Sequence, residues 1–257
     1  MLFKAKTYSK YILSTLNKNS IKSTYISDLI LNSFKKKSIQ VPQNIISYKE
    51  LLLTNKSNIT VTDFGAGSKI FKSNRRKISK IAKYAGISNN RIHHLFSLIR
   101  YLNPRNILEI GTSLGIATAA ISEGSKKSQI RTLEGCPETA RIAKQQFDKF
   151  NLKNIDIIIG DFKNTLPKAI EDITYDFIYF DGNHQKSATL KYFNLCLKTV
   201  NNNSVFVFDD IHWSKEMEEA WEEIKQHPNV TVTIDTYQWG IVFFRKELEK
   251  QHLTIRV

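Results

Sequence analysis

Two cysteines, five prolines and ten glycines are all that 257 residues contain of these types. Cys136 and Cys196 are too few for a disulfide scaffold or a structural zinc cluster, and they suit a reducing compartment. No apolar run of roughly 18 residues occurs, so no membrane span is expected. Behind the basic start, Ser14, Thr15, Asn17 and Lys18 interrupt the core a signal peptide would need, and the chain reads as cytoplasmic. Acidic residues are scarce at one end. Residues 1–100 hold three of them against 19 Lys and Arg, a net charge of +16, whereas residues 101–257 carry −2. Arginine, the side chain suited to bidentate phosphate recognition, numbers nine. Lys, Asn and Ile make up 81 residues, as an AT-rich coding sequence would give, so the basic excess does not by itself call for a polyanion.

What the chain does have is core material. With 41% apolar residues, 15 Phe, 10 Tyr and 3 Trp, it is built to bury an interior, which excludes disorder. Residues 1–60 place apolar side chains at helical spacing (Tyr8, Ile12 and Leu16, then Tyr25, Leu29 and Ile30), which predicts short amphipathic helices. A two-glycine turn follows at Asp63-Phe-Gly-Ala-Gly-Ser68, then a helical stretch over 75–102 that Pro104 ends. Beyond it the period changes. Short apolar runs at 106–110, 129–134, 155–160, 177–181, 205–209, 230–235 and 241–244 alternate, up to the sixth, with helical patterns. That alternation predicts an α/β fold with a Rossmann-like, doubly wound, seven-stranded sheet. The last two runs are joined too closely for a crossover helix, so they should form a terminal antiparallel hairpin. The chain thus divides into a basic helical N-terminal extension over 1–90, on the substrate side, and a ligand-binding domain over 91–257.

Ligands of such sheets bind at the carboxyl ends of the strands. The first strand end reads Leu108-Glu-Ile-Gly-Thr-Ser-Leu-Gly-Ile-Ala-Thr118, with Gly111 and Gly115 allowing a tight turn and close backbone approach. The second ends in Glu134, 23 residues after Gly111, a spacing that suits a carboxylate accepting from ribose hydroxyls. The third ends in Gly160-Asp161-Phe162, an acid and an aromatic for an adenine edge and face. The Asp63 turn has no apolar strand before it and no acidic strand end after it, so it is not the nucleotide loop. The fourth and fifth strands end in Asp181-Gly-Asn-His184 and Asp209-Asp-Ile-His212-Trp213. Three carboxylates at adjacent strand ends would raise one another's pKa, and a divalent cation with oxygen ligands (Mg²⁺, Mn²⁺ or Ca²⁺) would resolve the crowding. Trp213, Tyr237 and Trp239 fall in predicted loops near the same face, as pocket walls or as core packing.

The glycine loop with its two downstream acids and the closing hairpin resembles the class I S-adenosylmethionine-dependent methyltransferases over roughly residues 90–245. The Glu-x-Gly-x-x-x-Gly-x-x-Thr form of the loop is similar to the small-molecule, catechol-type O-methyltransferases. The resemblance implies Glu109, Gly111, Thr112, Ser113 and Gly115 around the methionine part, Glu134 at the ribose, and Asp161 with Phe162 at the adenine. Asp181 counts both with the cofactor set and, beside Asp209 and Asp210, as a metal ligand. It implies methyl transfer to a hydroxyl of a small-molecule acceptor. The acceptor must lose a proton, and His184, three residues after Asp181 where the catechol enzymes carry a lysine, is the first choice of base, with His212 second. Asn183 stands where related sugar-modifying enzymes place an Asp base, and an amide cannot serve.

The alternative is an RNA methyltransferase docking through the basic N-terminal region. It is disfavoured because Asp-Gly-Asn-His replaces the Asn/Asp-Pro-Pro-aromatic sequence of base-amino methylases and no cysteine sits where a pyrimidine-attacking nucleophile belongs. The reading leaves room for peripheral membrane contact and for a homodimer.

Overall fold

The computed structural model describes residues 2–15, 21–36, 38–65, 67 and 70–257. Met1, Leu16, Asn17 and Lys18 of the N-terminal readings, and Ala66 and Ser68 of the first glycine turn, lie outside the described residues. The chain forms two compact units: Leu29–Ala169, and Met1–Asp28 together with Ile170–Val257. No helix among the described residues is long and apolar enough to cross a membrane.

The helices and strands that precede the first expected strand run in chain order as α1 (Leu2–Ser14), α2 (Thr24–Ile30), a π-helical turn at Leu31–Lys35, α3 (Gln43–Thr54), strands β1 (Asn58–Thr60) and β2 (Arg75–Lys77), α4 (Ile78–Tyr84) and α5 (Asn89–Leu102). The antiparallel β1–β2 pair was not expected, since Arg75-Arg-Lys carries no apolar alternation. Ser88 caps α5 by accepting from the Arg91 N–H at 3.3 Å, and Asn103 ends it in the left-handed region (φ 45°).

In the Leu29–Ala169 unit, β3 (Asn106–Ile110), β4 (Gln129–Glu134) and β5 (Ile155–Ile159) pair in parallel, in that order, with Ile110 opposite Leu133 and Glu134 opposite Ile159. After its first residue β3 is wholly buried, as a parallel strand covered on both faces must be. The crossovers are α6 (Ile116–Gly124) and α7 (Pro137–Lys149), and α8 (Phe162–Ala169) follows β5. Helix α6 is apolar almost all round and buries Ile116 through Ser122. Helix α7 starts with Pro137 in its first turn and buries only one stripe, Thr139, Ala140, Ile142, Ala143 and Phe147.

The other unit carries β6 (Phe177–Phe180), α9 (Lys186–Cys196), β7 (Val205–Asp209), α10 (Lys215–Gln226), β8 (Val232–Asp235), β9 (Trp239–Phe243) and β10 (Gln251–Thr254). Its strands lie in the order β10-β8-β9-β7-β6. β6 and β7 are parallel, and β9 runs antiparallel to both β7 and β8, which makes the expected hairpin. Phe180 and Phe208 stack across β6 and β7 at 4.3 Å between centroids.

Two expectations change here. The hairpin is not terminal, because β10 follows it, parallel to β8 and missed because only Leu253 of its four residues is buried. The hairpin loop is also shorter than the Thr236–Gly240 expected, since β9 already begins at Trp239. Gly240 is a strand residue for a packing reason: a Cβ there would meet the buried Trp221 ring at 2.6 Å. Trp239 is accordingly a core side chain, 2% exposed and edge-on to Tyr179, and not a pocket wall.

Candidate active site

The expected cofactor loop leaves β3 at Glu109 and folds back on the end of β4. The N–H groups of Gly111 and Thr112 both donate to the Leu133 carbonyl, at 2.9 and 3.1 Å. Ser113 takes a positive φ of 50°, and its N–H donates to Oε2 of Glu134 at 2.6 Å. The other oxygen of Glu134 accepts from the Cys136 N–H at 2.8 Å. The structure therefore brings the glycine loop and the candidate ribose acid together through the Ser113 N–H. Burial raises the Glu134 pKa, and the backbone N–H donors oppose it. Gly115 serves the loop differently from the expectation of backbone approach to a ligand. Its φ is 77°, and a Cβ would strike the Tyr48 hydroxyl at 2.5 Å and the Phe147 ring at 2.6 Å. Tyr48, on α3 and fully buried, donates to the Leu114 carbonyl at 2.9 Å and so braces the loop from behind.

Glu109 is the most perturbed group of the set. It is completely buried, and burial pushes its pKa up to about 7 although two hydroxyls pull it down. Those hydroxyls belong to Thr118 and Thr132, which donate to Oε2 at 2.5 and 2.6 Å; Thr132 in turn meets Thr112 at 2.6 Å. The second oxygen, Oε1, is buried and has no hydrogen-bond partner. A buried carboxylate oxygen without a donor, in a glycine loop, fits a cationic group of a ligand, and S-adenosylmethionine carries an α-ammonium. Thr132 was missed by sequence reasoning. A threonine in mid-strand gives no signal until its neighbour across the ladder is known, and here that neighbour is Glu109.

At the end of β5, Oδ1 of Asp161 accepts from the Lys163 N–H at 2.9 Å and its carbonyl from Asn164 and Thr165, so Asp161 opens α8. Phe162 is the first residue of that helix and half-buried.

In the other unit, Asp181 follows β6, and its Oδ1 lies 3.7 Å from Nε2 of His184, an ion-pair separation and too long for a hydrogen bond. Asn183 and His184 both have positive φ, 70° and 29°, in the turn that carries them. Oδ1 of Asn183 is buried without a partner, while its amide reaches the Tyr192 hydroxyl at 3.3 Å. Asp209 ends β7 buried, with Oδ1 accepting from the Asp210 N–H at 2.9 Å. Among the described residues no group of three or more His, Cys, Asp or Glu side chains is gathered to hold a metal ion. The expected ligand set of Asp181, Asp209 and Asp210 is thus not among the side-chain groups gathered to hold a cation, and the donor set does not fit a divalent cation.

His212, the second candidate base, has both ring nitrogens engaged. Nδ1 lies 2.7 Å from Oε1 of Glu218 and Nε2 lies 2.9 Å from Oδ2 of Asp235. Burial works against its cation, yet Asp235 and Glu218 outweigh that and hold the His212 pKa above the ordinary value. An imidazolium clamped between two carboxylates holds the β7 and β8 loops together and has no nitrogen to offer a substrate. Tyr237 stacks on it at 5.2 Å and meets α1 through Tyr8, Tyr11, Thr7 and the Lys4 carbonyl, while Lys4 sits 4.2 Å over Trp213.

Comparison with known proteins agrees with this geometry. A family described as "Methyltransferase domain" matches residues 108–211, from β3 to just past β7. An O-methyltransferase of Aspergillus hancockii, hkm8, is 29% identical over 133 residues, 49% of this chain and 52% of its own length. A catechol O-methyltransferase of Niastella koreensis is 27% identical over 129 residues, 49% of this chain and 58% of its own. The chain thus spans about half the length of the curated relatives it matches. Among solved structures, the SAH-bound methyltransferase PaMTH1 of Podospora anserina superposes with a TM-score of 0.65 at 17% identity, covering 90% of this chain and all of that one. The Bacillus cereus O-methyltransferase in complex with SAH gives 0.59 at 19% identity, covering 87% and 98%. At these identities the structures establish the fold, which is the Rossmann-like methyltransferase fold. Residues 108–211 are thus similar to a methyltransferase domain, on a chain with the fold these solved methyltransferases share.

Proposed function

We propose that the protein transfers the methyl group of S-adenosylmethionine to a hydroxyl of a small-molecule acceptor. The observation that carries this is the buried, partnerless oxygen of Glu109 beside a glycine loop whose Ser113 N–H is held by Glu134. Glu109 receives the ligand's ammonium, and the Ser113 and Cys136 N–H groups fix the Glu134 carboxylate that meets the ribose. The cofactor supplies an electrophilic methyl on a sulfonium. When bound it would give that methyl to an acceptor oxygen as its C–S bond breaks, and His184 is the candidate for the group that takes the hydroxyl proton. His184 is the base because His212 is spent between Glu218 and Asp235. No step is routed through a metal, since the acids do not gather as ligands.

We assign the reacting groups to residues 91–257 and, within residues 1–90, acceptor selection to the α1 end. The packing of α1 on Tyr237 and Trp213, beside the β7 and β8 loops, supports that division. Titration calorimetry with S-adenosylhomocysteine tests the cofactor half, and no binding at high micromolar concentration would overturn it. A metabolite extract incubated with methyl-labelled cofactor, with and without chelator, tests the rest. Label in a hydroxylated small molecule in both arms is expected; loss of label with chelator would restore the metal.

A further inference from the structure

We propose that Phe64 is part of the cofactor site and lies along the adenosine half of the bound molecule; this rests on the S-adenosylmethionine reading above. Phe64 belongs to the first glycine turn, the Asp63-Phe-Gly segment that is not the nucleotide loop. The strand leading to that turn is tied to the residues just after β4. The Thr62 N–H donates to Sγ of Cys136 at 3.3 Å, and the same sulfur lies 3.7 Å from the Thr60 carbonyl oxygen. Asp63 holds the turn from within: Oδ1 accepts from the Gly65 N–H at 3.1 Å, and Oδ2 pairs with the Arg76 guanidinium at 3.3 Å. This anchoring sets the Phe64 ring beside Gly135, where a Cβ would come within 2.8 Å of Cδ2 and 3.3 Å of Cε2.

Gly135 is the link between Glu134, the candidate ribose acid, and Cys136, whose N–H holds that acid. The ring therefore packs on the backbone that presents Glu134, and it can do so only because position 135 has no side chain. Packing there leaves the side chain half exposed, at 50%. In this reading the ligand that lands beside Glu134 is a nucleoside, which has both an apolar ribose edge and a flat base to cover the rest of the ring. Aromatic contact with a base needs no particular hydrogen-bond pattern, which a lone phenyl ring does not have. The turn is a separate chain segment from the Gly111 loop, so the nucleoside would be held from two sides by parts of the Leu29–Ala169 unit.

The test measures binding of S-adenosylhomocysteine and of adenosine alone to wild type, Phe64→Ala and Phe64→Tyr by calorimetry, with circular dichroism as the fold check. Phe64→Ala should weaken both ligands by the same factor, about tenfold, and Phe64→Tyr should restore binding to within about twofold. In Phe64→Trp, addition of S-adenosylhomocysteine should change tryptophan emission beyond the change seen with the three native tryptophans. Wild-type affinity in Phe64→Ala, or weakened S-adenosylhomocysteine with unaltered adenosine, overturns the proposal and leaves the cofactor reading standing. Should wild type itself fail to bind S-adenosylhomocysteine, the cofactor reading falls and the Phe64 proposal falls with it.

Discussion

Replacing Glu109 with Gln should stabilise the ligand-free protein at alkaline pH and weaken its cofactor binding at the same pH. The carboxyl titrates near 4.5 when unfolded, and burial pushes it up to about 7 in the folded protein. A carboxyl raised by folding contributes stability that is fully present below about 4.5 and is lost as pH rises through about 7, because the folded state must then hold a buried charge. The separation corresponds to about 3 kcal/mol at full ionisation. Gln keeps an oxygen for the Thr118 and Thr132 hydroxyls, and its amide replaces the partnerless oxygen at a pH-independent cost of about 1 kcal/mol. Urea unfolding of wild type and Glu109→Gln at pH 5, 6, 7 and 8 reads the difference. The variant's stability relative to wild type should rise by about 2 to 3 kcal/mol between pH 5 and pH 8. S-adenosylhomocysteine should bind wild type more tightly at pH 8 than at pH 6, and the variant should lack that dependence. A stability difference that is flat from pH 5 to pH 8 would refute the claim that Glu109 is buried with a raised pKa.

His184→Ala should lower kcat about 10²-fold or more with the KM for the cofactor unchanged, measured by methyl transfer to the acceptor that the labelling experiment finds. His212→Gln should act on stability, because it leaves Glu218 and Asp235 facing one another without a cation; a loss of about 3 kcal/mol in denaturant unfolding is expected. Gly240→Ala drives a methyl into the buried Trp221 ring at 2.6 to 2.8 Å and should cost about 1 to 3 kcal/mol by the same measurement. Tyr48→Phe removes the donor to the Leu114 carbonyl behind the loop and should cost about 1 kcal/mol.

The strands were most legible where burial is near complete. Asn106–Ile110 and Val205–Asp209 occupy the span their apolar runs marked, because a strand covered on both faces has to be apolar nearly throughout. The edge strand β10 and the β1–β2 pair were not legible, since one buried leucine or a run of Arg and Lys carries no period. In the site, the glycine loop and Glu134 were recognised as a set, and the structure joins them through the Ser113 N–H. The same reading dismissed the Asp63 turn, whose place is set by Cys136 more than seventy residues on.

Composition, the alternation of strand and helix, and the chemistry at strand ends are local properties of the chain. The sequence by itself therefore determined the α/β order, the glycine loop with its acids, and the methyltransferase reading. The state of a titratable side chain depends on atoms from distant segments. Only the tertiary structure decided that Thr118 and Thr132 leave one oxygen of Glu109 bare, and that Glu218 and Asp235 lock His212 while His184 stays apart. It also decided that the three strand-end acids are not gathered as a ligand set among the described residues, because the meeting of side chains from separate strand ends is set by packing and not by their order along the chain.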